Sequence, residues 1–459
     1  MAAASTQSKV YRTIWRWHFY AGLFVLPFIM TLAFSGSFYL FKPQIERWEE
    51  REFRGFSTTG SVAPRQQVEA AAGAFPGATF FDYRLPQNAG DAAMVRIAVA
   101  GGAGIREVFV APDGAVLGAL VPDDRVMAFI KRIHSELLIG KVGNLLVELA
   151  ASWAIVLILS GLFLWWPRGR GMAGTFWPRL TRGSRIFWRD LHAVTGIWIS
   201  GFALVLLLSG LPWAGVWGPT FQAVRAEMGW IKGSPTWAVD SQPQATAGHD
   251  HGGDAAHHVV NFAPFSLDAL DAMVTRAESE QLAFPALVTA PGAPGRFGMP
   301  GEMVWTLRSD AQNTPMQQTI RFDLEGQREL SRERFQDGHI IDRVVGYGIA
   351  WHEGQLFGWI NQLIGVLTAM GLVTLATTGF ILWRRRKPVG RLGAPSVGTA
   401  TSTTAAATIL LVLALFLPLL AGSLVLIWLM EQLALPRLPK LAHWLGVSGN
   451  HLPRPEGES

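Results

Sequence analysis

Five apolar stretches lie within residues 17–41, 134–166, 190–213, 352–383 and 407–430, each long enough to cross the roughly 30 Å hydrocarbon core of a bilayer as a helix. Lipid offers no partner to backbone N–H and C=O groups, so such stretches are forced into helices that satisfy themselves. The rest of the composition agrees: of 459 residues, 50% are hydrophobic and only 16% charged, with a mean hydropathy of +0.25. Charge distribution then orients the chain, because Lys and Arg gather in cytoplasmic segments. Lys9, Arg12 and Arg16 occupy residues 1–16 without an acid, six arginines occupy 167–189 without an acid, and Arg384, Arg385, Arg386, Lys387 and Arg391 occupy 384–406. These three segments are expected in the cytoplasm and the long segments 42–133 and 214–351 outside, in the periplasm of a bacterial inner (cytoplasmic) membrane. The fifth span, kinked by Pro418, is expected to carry residues 431–459 to the outer side. The first apolar stretch is too long for a cleaved signal peptide and reads as a retained anchor.

The chain is written twice. His18, Gly22, Ser35 and Gly36 in "WRWHFYAGLFVLPFIMTLAFSGSFYLF" recur as His192, Gly196, Ser209 and Gly210, all offset by 174 residues. His134, Gly140, Gly161 and Trp165 recur as His352, Gly358, Gly379 and Trp383, all offset by 218. Each half is therefore helix, outer segment, helix, in the same direction through the membrane, which predicts a duplicated four-helix bundle plus a fifth helix. The outer segments read as two small α+β domains. In the first, "APRQQVEAAAGAF" is a helix pattern followed by strands and a PDG turn; in the second, "SLDALDAMVTRAESEQ" precedes strands with an LEG turn.

Four of eleven histidines sit at repeat-equivalent positions beside membrane helices. Ionisable side chains at such depths are costly and usually functional. Two imidazoles facing each other across a pseudo-two-fold axis are a ligand pair for haem iron, which predicts two b-type haems: one on His18 and His192 toward the cytoplasm, one on His134 and His352 toward the outside. Gly22, Gly196, Gly161 and Gly379 would clear room for the inner ring, and Gly36, Gly210, Gly140 and Gly358 for the outer one. A continuous second helix would put His134 about 51 Å from Arg168, far for a single electron-tunnelling step. No cysteine is present, so any redox chemistry needs a bound cofactor. The tract "GHDHGGDAAHH", with His249, His251, His257 and His258, could bind a transition metal, although a Gly-rich run fixes no geometry and reads first as a solvated linker. His339, His443 and His451 have no repeat partner.

"WRWHFYAGL" with "FSGSFYLF", "IHSELLIGKVG…SGLFLWWPR", "RDLHAVTG" and "WHEGQLFGWINQ…TGFILWRRR", each pair enclosing a small α+β segment, resemble the PepSY-associated transmembrane family over residues 10–390. That family includes haem-containing reductases of siderophore iron. The resemblance implies two PepSY-like periplasmic domains, haem ligation carried over onto His18, His134, His192 and His352, and a ferric siderophore or other ferric chelate as acceptor. It departs at Ala111, where a more polar residue is usual in the turn. The short cytoplasmic loops hold no dinucleotide fingerprint, so quinol or a separate cytoplasmic reductase would be the donor; besides these, only the lipid bilayer is an expected partner, and no nucleic acid. Two rival readings are a membrane-anchored protein that binds or inhibits peptidases without catalysis, and a metal permease using the histidines as a path.

Overall fold

The computed structural model describes residues 2–99, 104–167, 173–181, 183–230, 267–293, 301–395 and 404–447. The chain forms two compact units, one of residues 1–37, 132–220 and 363–459, the other of residues 38–131 and 221–362.

The first unit is helical. It holds α1 (Ala2–Tyr39) up to Ser37, α5 (Gly140–Trp165), α6 (Ser184–Gly210) and most of α10 (Trp359–Arg386). Among the described residues, five helices are long and apolar enough to cross a membrane: Val10–Tyr39, Gly140–Trp165, Ser184–Trp213, Trp359–Arg386 and Pro418–Arg437. α5 packs along α6, while Gly22 of α1 faces Leu157 of α5 and Gly196 of α6 faces Leu375 of α10. The basic segments meet at one end of this unit. Arg386 lies 4.6 Å over the Trp15 ring and Arg385 donates to Ser184 Oγ at 2.9 Å.

Two of the expected spans are shorter than the sequence suggested. The segment 134–166 is two helices: α4 (Val126–Glu136) ends, Leu137 and Leu138 take φ of 49° and 62°, and α5 starts afresh at Gly140. The segment 352–383 divides likewise into α9 (Ile340–His352) and α10. Gly140 and Gly358, at φ of +60° and +58°, sit at these restarts with open space around them. Both take a backbone conformation that L side chains adopt at a cost.

The fifth span also differs. The apolar run 407–430 breaks at Leu417, and α11 (Thr404–Phe416) and α12 (Pro418–Leu429) are separate helices. Proline at the first position of α12 can neither donate to the preceding turn nor continue it. From residue 395, where Arg16 Nη1 donates to the Pro395 carbonyl at 2.9 Å, the chain reaches Phe416, whose carbonyl accepts from Trp217 Nε1 beyond the far end of α6. It then returns past Trp153, which donates to Ser423, to α13 (Pro439–Leu445). Tyr20 Oη donates to the Leu445 carbonyl at 2.5 Å, Arg16 Nη2 to that of Gly446 at 3.0 Å, and Trp444 O accepts from Leu392 N. Residues 439–447 therefore lie at the Arg16 end of the helices, and the tail 431–459 does not begin on the opposite side as expected. Reporter fusions at the amino terminus and after Val447 should give the same membrane sidedness; opposite sidedness would restore a single fifth crossing.

The second unit is built on one eight-stranded antiparallel sheet, not two separate domains. β1 (Thr79–Arg84), β2 (Ala93–Ala98), β3 (Ile105–Val110) and β4 (Val116–Leu120) come from the first outer segment, and β5 (Ala286–Thr289), β6 (Trp305–Ser309), β7 (Gln318–Phe322) and β8 (Glu329–Arg334) from the second. Their order, β4-β3-β2-β1-β5-β6-β7-β8, joins the halves through the pairs Asp82↔Thr289, Tyr83↔Val288 and Arg84↔Leu287. One face carries α3 (Pro64–Ala74) and α8 (Leu270–Ser279) over a shared core that includes Val95, Val108, Val288, Trp305 and Ile320. The PDG turn closes β3 to β4 with Gly114 at φ +90°, and the LEG turn closes β7 to β8 with Gly326 at +70°.

On the other face of the first four strands, alternate residues form an ion-pair ladder. Arg96 joins Asp82 and Glu107, Arg125 joins Glu107 and Glu50, and Arg84 grips both oxygens of Glu50 at 3.0 and 2.8 Å. Burial pushes the Glu50 carboxyl up, but Arg84 and Arg125 outweigh it and hold it below the usual carboxylate range. Glu50 follows α2 (Lys42–Glu49), so the ladder ties the chain leaving α1 to the sheet of its own unit.

Candidate haem-ligand site

Inside the helical unit, α1 brings His18 and α6 brings His192 to the same point. Their ring centres are 6.4 Å apart and their planes 89° to each other. With metal–imidazole bonds of about 2 Å on each side, two rings sharing one metal keep their centres about 6 Å apart. The pair therefore has the spacing of two axial ligands.

What holds each ring is a hydroxyl on the neighbouring helix. His18 Nδ1 is 3.0 Å from Ser160 Oγ of α5, and that hydroxyl donates its proton to the Leu157 carbonyl at 3.0 Å. With its proton on that carbonyl the hydroxyl faces the ring as an acceptor, an arrangement that favours hydrogen on Nδ1. His192 Nδ1 is 2.9 Å from Thr378 Oγ1 of α10, which donates to the carbonyls of Thr374 at 2.7 Å and Leu375 at 3.2 Å. This arrangement favours, for both imidazoles, the tautomer whose Nε2 keeps its lone pair, the form a metal requires.

The residue after each hydroxyl is glycine. A Cβ on Gly161 would stand 3.0 Å from His18 Cε1, and one on Gly379 would stand 3.5 Å from His192 Cε1. These two glycines lie against the histidine rings, whereas Gly22 and Gly196 face leucines at 3.5 and 3.7 Å.

His134 repeats the arrangement at the other end of α1. Its Nδ1 is 3.0 Å from Ser35 Oγ, which donates to Thr31 O at 2.8 Å, and a Cβ on Gly36 would come 3.0 Å from its Cε1. Because α4 is a separate helix, His134 stands beside residue 35 of the helix that carries His18. Seventeen residues of helix rise separate the two levels, about 26 Å, against about 39 Å for the 26 residues from His134 to Ser160 in a continuous second helix. His352 ends α9 in the sheet-bearing unit, and Gly210 closes α6.

Around the inner pair, the basic end is pinned by Asp190, two residues before His192. Buried at 1% exposure, it accepts from Arg179 at 2.7 and 3.0 Å and from Arg189 at 2.9 Å. Trp165 donates to Thr175 O and Trp198 to Phe176 O, so the segment 173–181 is clamped onto α5 and α6. Sequence reasoning missed Asp190, and it missed Glu148 of α5, buried in the apolar run and accepting from Val216 N and Trp217 N at the start of α7 (Trp217–Glu227). It also missed Ser160 and Thr378, although these are equivalent at the 218-residue offset and each precedes a glycine already singled out.

Among the described residues, no three histidine, cysteine or carboxylate side chains converge as a metal site. At the inner point the chain brings together the two imidazoles of His18 and His192. Of the unpaired histidines, His339 caps α9 by accepting from Ile341 N and His443 meets Arg391. His249, His251, His257, His258 and His451 lie outside the described residues.

The fold and site together define a multi-pass membrane protein with a half-buried, pre-oriented histidine pair. Residues 15–386 match the PepSY-associated TM region, and the chain belongs to that family. No curated relative matches it.

Proposed function

We propose that this chain is a haem-dependent electron-transfer protein of a bacterial inner membrane that reduces ferric iron, presented as a siderophore or other ferric chelate, on the periplasmic side for iron uptake. The observation that carries the reading is the His18–His192 pair, 6.4 Å between ring centres and anchored through Nδ1 on both sides. Haem b held by these two residues would supply reversible one-electron chemistry, which suits electron transfer. A second haem is expected on His134 and, from the repeat, His352. The duplicated helix pairs, with the Arg16 end in the cytoplasm and the sheet outside, complete the proposal.

The chain's own part is positional. Ser160 and Thr378 hold the imidazole planes, and Gly161 and Gly379 leave the space beside them. Each ferric ion takes one electron; a quinol donor would release two electrons and two protons and so serve two ferric ions. Reduction to Fe(II) loosens hard oxygen chelators.

The test is reconstitution in liposomes with one orientation, reductant on the Arg16 side and ferric chelate with a colorimetric Fe(II) trap on the other. The proposal expects Fe(II) to appear across the bilayer. Reduction only when reductant and chelate share a compartment would contradict it.

A further inference from the structure

Each of the four repeat helices carries a hydroxyl residue followed by glycine at a repeat-equivalent position, Ser35–Gly36 in α1, Ser160–Gly161 in α5, Ser209–Gly210 in α6 and Thr378–Gly379 in α10, and α6 has two further such dipeptides, Thr195–Gly196 and Ser200–Gly201. Serine and threonine in membrane helices ordinarily bond back to their own i−4 carbonyl, and several here do only that: Ser200 to Gly196, Thr368 to Ile364, Thr374 to Met370. Three of the dipeptides do more. Ser35, Ser160 and Thr378 donate to their own backbone and in addition stand 2.9–3.0 Å from a histidine Nδ1 on another helix, while the following glycine lies against that histidine's Cε1.

We propose that Ser160 and Thr378 are positioning residues for the iron-ligating role of His18 and His192, each a fixed acceptor that selects the Nδ1–H tautomer and tunes the basicity of Nε2. The inference rests on the haem reading of the pair and adds to it the groups that set its properties. The back-bond is what makes the device work. A hydroxyl free to rotate could donate to Nδ1 and select the opposite tautomer; a hydroxyl whose proton is committed to its own helix can only accept. Glycine at the next position lets the ring approach edge-on: a Cβ on Gly161 would press on His18 Cε1 at 3.0 Å, and one on Gly379 would fill the contact with His192 Cε1 at 3.5 Å. An acceptor on Nδ1–H gives the imidazole partial imidazolate character, strengthens it as a donor and favours the ferric state.

Ser160→Ala and Thr378→Val, in the full-length protein in detergent, remove the acceptor with little change in volume. The expected result is a reduction potential shifted upward at the affected haem, and weaker haem retention against a haem-scavenging apoprotein, by about 10–100-fold. Ser160→Thr and Thr378→Ser, which keep the hydroxyl, should restore the wild-type values. Potentials and haem retention in Ser160→Ala and Thr378→Val equal to wild type would overturn the proposal, as would failure of the hydroxyl-conserving variants to rescue. A haem-free readout separates this inference from the cofactor reading. Nitrogen NMR of ring-labelled histidine in the apoprotein should show His18 as the single Nδ1–H tautomer in wild type and as a mixture in Ser160→Ala. A wild type that takes no haem yet shows that locked tautomer would sink the haem reading and keep the positioning role; a mixture already in wild type would sink the positioning role.

Discussion

His18→Ala and His192→Ala proteins should each purify with about one haem equivalent fewer than wild type, because an axial pair is lost when either member goes. The two variants should also resemble each other and resemble the double variant, since the second substitution removes a ligand from a site already empty. This non-additivity is the signature of a shared site. Neither substitution should prevent insertion: alanine is well tolerated in a membrane helix, and the partner hydroxyls of Ser160 and Thr378 keep their back-bonds to Leu157 and Thr374. Haem content and low-spin absorbance, measured against protein concentration, check the expectation. Independent losses that add in the double variant would place the two histidines at different centres.

Gly161→Leu is expected to empty the same site from the other side. A Cβ alone at this position comes 3.0 Å from His18 Cε1, and the three further carbons of leucine have nowhere to go but into the ring or the space beside it. His18 must then swing off Ser160, losing both tautomer control and the spacing to His192. Leucine is favourable in hydrocarbon, so the variant should still insert, and its loss of haem should approach that of His18→Ala. Gly201→Leu provides the control, since Gly201 is exposed on the same helix as His192 with open space around its Cα. Full haem occupancy in Gly161→Leu would assign this glycine to ordinary helix packing.

The site was legible in the sequence to the extent that the chain repeats itself. Offsets of 174 and 218 residues made His18 answer to His192 and His134 to His352, and drew attention to the glycines at matched depth. The hydroxyls were not legible, because serine and threonine are common in membrane helices and only the structure distinguishes Ser160, which meets an imidazole, from Ser200, which does not. The helix break before α5 was hidden for a different reason. Leu137 and Leu138 lie in the short run LLI between Glu136 and Gly140, and leucine is not a residue that announces a positive φ. In the outer segments, the strands next to the PDG and LEG turns announced themselves through turn chemistry. β1 and β5, "TFFDYR" and "ALVT", lack such a turn between them, being some 200 residues apart; yet their pairing turns two expected domains into one sheet. Pro418 gave warning of a bend in the last apolar run but not of its angle, and it is the contacts of Arg16 and Tyr20 that bring the chain back to the end from which it came.

The central claim, that the His18–His192 pair holds haem iron, is tested most directly by the visible spectrum and haem-to-protein ratio of the wild-type chain purified in detergent, read beside His18→Ala. The account predicts a coloured protein with a Soret band, sharp low-spin α and β bands on dithionite reduction, and a haem ratio that drops by about one in the variant. A colourless wild type that stays colourless when haem is added, or a haem spectrum unchanged by His18→Ala, would contradict it.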